Sequence, residues 1–364
     1  MSSKSNPASP ARASAPGTLQ LGRRTLGPGH PCFVIAEAGI NHNGDPEIAR
    51  RLVEVAHKAG ADAVKFQTYR TDLLLTAHAP KAEYQLASGD PGETQQAMLR
   101  RMELPLSAYD GLLRLCDRLG LLFMSSPFEE QSADFLVQCG VEVLKIPSGE
   151  ITNLPFLAHV ARKGIPLIVS TGMATLAEVD EALATVRTSG NPPVALLHCT
   201  SNYPADPAGC NLRAMDTLRK AFQVPVGYSD HTEGCAVGWA AAARGAAIVE
   251  KHITVDRALP GPDQRASMAP DEFGEFVAGI RTVESSLGDG LKRPRPSEGN
   301  TALVARKSLT AAVDLAAGTV IGPSMLVLRR PGSGLPARML PMVVGRSLCT
   351  AVPAGTTLGL EHLG

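Results

Sequence analysis

Residues 227–234, GYSDHTEG, follow an apolar, valine-rich stretch and set a serine, an aspartate and a histidine side by side. The same order, apolar residues first and polar residues last, occurs in eight runs. Their ends carry Glu37, Lys65 with Gln67, Ser125 with Ser126, Ser148 with Glu150, Ser170 with Thr171, His198 with Thr200, Ser229 to His231, and Glu250 to His252. His231 and His252 end the seventh and eighth runs. Imidazoles converging from two neighbouring elements would suit a divalent ion such as Mn²⁺, or alternatively Mg²⁺ or Co²⁺, acting as a Lewis acid with water or substrate oxygen in the remaining positions. The plainer reading of each is a hydrogen-bonding cap on its strand end. Asp230 is placed to orient His231 as an acceptor, and His42, in NHNG, reads as a turn residue rather than a ligand. Lys65 and Lys145 lie inside apolar runs, where an unpaired ammonium is costly to bury. Either they form structural ion pairs with Glu37 or Glu150, or, with Ser126, Ser148, Ser170 and Ser229 around one cavity, they hold a small phosphorylated carboxylate, whose oxygens suit compact cations and hydroxyls.

These residues can act together only if one architecture brings the run ends to one place. The runs are CFVIAEAG, AVKFQTY, LLFMSSPF, VLKIPSGE, PLIVSTGM, VALLHCTS, VPVGYSDHT and AIVEKHIT, separated by segments with apolar residues at helical spacing such as IARRLVEVAHKAG and LAEVDEALATVRTSG. Several of these end in glycine (Gly60, Gly140, Gly164, Gly190, Gly245), a helix stop. Near-continuous apolar strands alternating with helices predict a parallel sheet covered on both faces, and eight such units predict an α/β fold of the closed (β/α)₈ TIM-barrel type. The competing open, doubly wound sheet favours a G-x-G-x-x-G turn after the first strand, and EAGINHNGD lacks it. In a barrel the run ends share the C-terminal mouth. The expected organisation is a disordered tail over 1–17, a barrel over 18–290, a charged, Pro-rich linker over 291–305 and a small, mostly-β domain over 306–364.

Thirty-five Lys and Arg balance thirty-five Asp and Glu, so no long-range field argues for nucleic acid. The seven cysteines are scattered and never form C-x-x-C, which reads as small core residues in a reducing, cytoplasmic setting. No apolar run is long enough to span a bilayer, and the N-terminus has no signal-peptide pattern.

The motifs AEAGINHNGD, AVKFQTY, SSPF, LKIPSGE, STGM, LLHCTSNYPA, VGYSDHTEG, EKHITVDRALPGPDQRASM, RKSL and RRPGSG run in order from residue 32 to about 347. Jointly the chain resembles the sialic acid synthase family: N-acetylneuraminate synthase-like enzymes with a C-terminal antifreeze-like (SAF) domain, which condense phosphoenolpyruvate with an N-acylated amino sugar. The resemblance implies that His231 and His252 bind the metal and that Lys65, Ser126, Lys145, Ser148, Ser170 and Ser229 hold phosphoenolpyruvate. It implies that Glu37, Gln67, Glu150, Tyr203 and Asp263 line the reacting centre or sugar pocket, and that Arg330 reaches the sugar's N-acyl end across a homodimer whose tails cover the partner's site. Ser126 stands where some members have threonine, which keeps the hydroxyl, and Ser201 where some have asparagine. The acceptor expected first is N-acetylmannosamine, giving N-acetylneuraminate; the alternative is a 2,4-diacetamido sugar, giving legionaminate or pseudaminate. A non-catalytic polysaccharide-assembly or spore-coat protein on the same fold would not need every one of these residues. A metal-dependent aldolase or isomerase without phosphoenolpyruvate would leave the two lysines unexplained.

Overall fold

A computed structural model describes residues 17–76, 78–82, 85–86 and 92–364; the tail expected to be disordered lies, up to residue 16, outside the described residues. A short antiparallel hairpin, β1 (Leu19–Leu21) and β2 (Arg24–Leu26), comes first. Eight parallel strands follow: β3 (Phe33–Gly39), β4 (Ala63–Thr68), β5 (Leu122–Pro127), β6 (Leu144–Ile146), β7 (Leu167–Ser170), β8 (Val194–Cys199), β9 (Val226–Asp230) and β10 (Ile248–His252). They pair in chain order, and β10 closes the barrel against β3. Every one of the eight expected runs is a barrel strand.

Strand period explains where each side chain goes. Successive residues face opposite sides, so one alternating set fills the barrel: Phe33, Ile35, Ala63, Met124, Val143, Ile168, Ala195, Leu197 and Ile248 form one interior cluster. The intervening set, including Val34, Val64, Phe66, Ile146, Val169, Leu196, Tyr228 and Val249, packs against the surrounding helices. The hairpin contributes Leu19, Leu21 and Leu26 to the interior cluster, each at most 2% exposed. It therefore seals the N-terminal end of the barrel, leaving the C-terminal end as the mouth. The hairpin carries no sequence signal, because two three-residue strands show too little alternation.

Helix ends follow local chemistry. The helix Pro46–Ala59 starts where Asp45 accepts from the Glu47 N–H and stops at Gly60 in the left-handed region, φ 79°. The helix Leu176–Ser189 opens with a Thr175–Glu178 capping box. Its closing Gly190 differs from the expected stop: φ is −170°, ordinary extended backbone, and glycine is required instead because a Cβ would lie 2.1 Å from the Ala161 carbonyl oxygen.

Two compact units divide at Gly288 and Asp289. In the second, the segment expected to be a linker holds a 3₁₀ turn, Pro296–Glu298, and a helix, Gly299–Ala305. Pro296 at the first position of that turn loses no hydrogen bond, because the N–H there has no intrahelical partner. Beyond it, β11 (Ser308–Ala311) pairs antiparallel with β12 (Leu326–Arg329) over a small core that includes Leu309, Ile321, Leu335, Leu348 and Val352. Among the described residues no helix is long and apolar enough to cross a membrane. All seven cysteines are free; Cys32, Cys116, Cys199 and Cys210 are buried, whereas Cys349 is exposed rather than part of a core.

Candidate active site

Continuing the inward set of each strand past its apolar residues reaches Glu37, Lys65, Gln67, Ser126, Lys145, Ser170, Ser229, His231, Glu250 and His252, and all ten line one cavity of about 410 Å³. Ser148, Ser201, Tyr203 and Asp263 join them from the loops above the strands. The other strand-end polar residues belong to the outward set. Ser125 meets Thr68, Thr171 donates to the Leu197 carbonyl, and His198 Nε2 lies 2.8 Å from the Cys210 carbonyl oxygen. Asp230 also faces outward: its Oδ2 accepts from Lys251 Nζ at 2.8 Å, so it does not orient His231. That task falls to the Thr200 carbonyl oxygen, 2.7 Å from His231 Nδ1.

At the cavity floor the charges alternate. Lys65 Nζ contacts the Glu37 carboxylate, Ser126 Oγ at 3.2 Å and Glu250 Oε2 at 3.6 Å. Lys145 Nζ donates to both Glu250 oxygens at 3.0 and 3.2 Å, and Ser229 Oγ donates to Glu250 Oε1 at 2.9 Å. All four charged groups are at most 3% exposed. The partners of the lysines are thus Glu37 and Glu250. Glu150 is a correction: it does not line the cavity, and its Oε2 accepts from Asn153 at 2.7 Å. The cause is local: five residues beyond the inward Lys145, Glu150 falls on the outward parity of the strand, and the 3₁₀ turn over Ser148–Glu150 that follows Ile146 and Pro147 brings Ser148, not Glu150, over the cavity. Glu250 is the residue that sequence reasoning placed in the ring without a role. Its spacing of two from His252 was the available signal, because that spacing puts both on one face.

These surroundings push the carboxyls apart. Burial, which Lys65 only partly offsets, raises Glu37 to about 7, and burial raises Asp263 to about 6. Burial would also raise Glu250, but Lys145 and Lys65 outweigh it and hold the group far below the usual carboxylate range. Burial lowers Lys145, an effect Glu250 only partly offsets. For Lys65 burial acts downward, yet Glu250 and Glu37 together keep it above the ordinary lysine value. Near neutral pH the floor therefore holds an ionised carboxylate, Glu250, between the two lysines, with a second carboxyl, Glu37, poised to gain or lose a proton. That is a pocket whose floor pairs two lysines with one ionised carboxylate and keeps an acid–base group at its edge.

Above the floor, the His231 and His252 rings lie 5.5 Å apart, and the Tyr203 ring sits 4.2 Å from His231 and 5.5 Å from His252. Burial lowers His231 to about 4 and, with His231 beside it, His252 well below its usual value, so both imidazoles are neutral. The Thr200 carbonyl engages His231 Nδ1, which leaves the Nε2 lone pair toward the cavity, where Ser229 Oγ is 3.3 Å away. His252 Nδ1 is buried with no hydrogen-bond partner among the described residues. Two neutral imidazoles, one oriented by a backbone carbonyl and one with an orphaned nitrogen, fit a divalent ion. Among the described residues no group of three or more His, Cys, Asp or Glu could hold such an ion, so its other positions would fall to substrate or water. His42, by contrast, is buried and accepts from the Gly44 N–H at 3.0 Å, a turn role. Arg330 is exposed in the second unit, at the end of β12.

A model described as the NeuB family matches residues 52–292, and one described as the SAF domain matches residues 306–364. The chain is 47% identical over 346 residues to the N,N'-diacetyllegionaminic acid synthase of Legionella pneumophila, covering 94% of this chain and 97% of the relative. It is 34% identical to the N-acetylneuraminate-9-phosphate synthase of Homo sapiens, covering 93% and 94%. The crystal structure of the N-acetylneuraminic acid synthetase of Leptospira borgpetersenii superposes with a TM-score of 0.69 at 34% identity, covering 79% of this chain and 95% of that one.

Proposed function

We infer that this chain, which belongs to the NeuB family and carries a C-terminal SAF domain, condenses phosphoenolpyruvate with an open-chain 2,4-diacetamido sugar and water to give an N,N'-diacetyllegionaminate-type acid and phosphate. This acceptor takes precedence over N-acetylmannosamine, the first expectation, because the relative at 47% identity carries the legionaminate name, whereas the human N-acetylneuraminate-9-phosphate synthase stands at 34%. The observation that carries the condensation itself is the floor network: two buried lysines sharing one permanently ionised carboxylate beneath two neutral histidines.

Lys65 and Lys145, with Ser126, Ser148, Ser170 and Ser229, receive the phosphate and carboxylate oxygens of phosphoenolpyruvate. Carbon 3 of the enol ester attacks the sugar's aldehyde carbon, forming the new carbon–carbon bond as the carbonyl π pair moves to the aldehyde oxygen, which takes up a proton to become a hydroxyl, and leaving positive charge at carbon 2. Glu250 and the ionised form of Glu37 stabilise that charge electrostatically. Water adds at carbon 2, giving up a proton that Glu37 or Asp263 is tuned to accept, and the carbon–oxygen bond to phosphate then breaks. His231 and His252 would hold a divalent ion, Mn²⁺ first, which when bound supplies a Lewis acid for a substrate oxygen. Tyr203 and Gln67 line the acceptor's side. Arg330 binds the acceptor's N-acyl end from the second subunit of a homodimer, as the resemblance implies.

Purified protein is incubated with Mn²⁺, phosphoenolpyruvate and one sugar at a time: a 2,4-diacetamido sugar, N-acetylmannosamine and their phosphorylated forms. Phosphate release with the diacetamido sugar is expected. Absence of release with every acceptor refutes the condensation.

A further inference from the structure

The cavity is charged at its floor and apolar along one wall. Leu74 and Leu75, at the end of the short helix Thr71–Leu74, line it with Leu99 of the helix Gln95–Met102 and with Phe128 just beyond β5. These side chains belong to a separate apolar cluster that also includes Ile40, Tyr69, Met98 and Met102, with the Tyr69 and Phe128 rings edge to face at 6.0 Å. Gln95, the first residue of its helix, and the largely buried Gln85 line the same cavity from this connection. A wall of this kind has no use in binding phosphoenolpyruvate, whose charged ends belong on the floor.

The acceptor must extend from the floor toward the mouth, past this wall. A sugar hydroxyl set against leucine and phenylalanine loses water without gaining a hydrogen bond, which costs free energy. An acetamido group in its place brings a methyl for the hydrocarbon and an amide whose N–H and C=O complement a glutamine carboxamide. We propose that Leu74, Leu75, Leu99 and Phe128, with Gln95, form the subsite for a second N-acyl group on the acceptor, and so select a diacetamido sugar over a mono-N-acyl one. The proposal rests on the condensation reading above.

Leu75 and Gln95 are half-buried, so Leu75→Asn and Gln95→Leu leave the barrel core intact; unchanged thermal midpoints verify this. Phosphate release is measured for wild type and both variants with each sugar. In wild type the diacetamido sugar is expected to have the higher kcat/KM. In the variants that value should fall roughly 10–100-fold, the range that one apolar group commands, while kcat/KM for N-acetylmannosamine does not fall and KM for phosphoenolpyruvate holds. A ratio between the sugars that stays within about twofold of wild type in both folded variants overturns the subsite and leaves the condensation standing. Wild-type preference for N-acetylmannosamine does the same. No phosphate release with any sugar removes the condensation, and the subsite with it.

Discussion

Replacing Glu250 by glutamine tests the floor network directly, because this one carboxylate serves both lysines. The change keeps the shape and an acceptor for Ser229 but removes the charge. At the 3.0 Å separation of Lys145 Nζ and Glu250 Oε1 and an effective dielectric of about 20, the lost attraction is about 5–6 kcal/mol gross. The Lys65 contact at 3.6 Å adds a further loss. Removing one partner of a buried pair costs about 3–5 kcal/mol net once the stranded ammonium relaxes or sheds its proton, so the unliganded variant should unfold at clearly lower denaturant concentration. The informative readout is the response to phosphoenolpyruvate. Its anionic groups replace the missing charge between the lysines, so saturating ligand should stabilise Glu250→Gln more than wild type, by about 1–3 kcal/mol, the usual size of coupling between charged sites. Urea titrations with and without ligand measure this difference. If Glu250→Gln loses no stability, or if phosphoenolpyruvate stabilises it no more than wild type, Glu250 does not hold the lysines for an anion, and the mechanism loses its foundation.

Removing an imidazole, as in His231→Ala or His252→Ala, should lower bound Mn²⁺ measured by calorimetry while the fold, followed by circular dichroism, persists. Asp263 is raised by burial to about 6 from an ordinary value of 3.8, so the folded state binds more protons than the unfolded one between those values. Stability should therefore fall as pH rises from about 4 to 6, by up to roughly 3 kcal/mol; in Asp263→Asn, stability curves at each pH should lack this slope. Leu21→Ala removes a side chain from the seal at the barrel's closed end and should cost about 2–5 kcal/mol in urea titrations, with KM for phosphoenolpyruvate unchanged. If Arg330 acts across a homodimer, mixing Arg330→Ala with Lys145→Met chains should restore phosphate release that neither shows alone.

Much of the site could be read along the chain. Glu37, Lys65, Lys145, Ser229 and His252 each follow an apolar run, and strand alternation extends that run's inward face to the residue in question. The same alternation, applied strictly, also separates His198, Thr171 and Asp230 from the cavity and adds Glu250 to it. It also keeps Glu150 off the inward face and fails instead at Ser148, which lines the cavity against strand parity because Pro147 ends the strand and the 3₁₀ turn takes over. The apolar wall gave no comparable signal, because Leu74, Leu75, Leu99 and Phe128 are spread over a long connection between β4 and β5.

The sequence alone determined the barrel, since strand period and strand–helix order are local properties that an alternating run declares wherever it occurs. It also determined which residue types crowd the mouth, because apolar-then-polar order is written into each strand. Only the tertiary structure decided which carboxylate neutralises which lysine. That pairing depends on closure of β10 against β3, which sets His252 beside Glu37 and Glu250 beside Ile35, and on a register between strands some two hundred residues apart, which no local pattern carries.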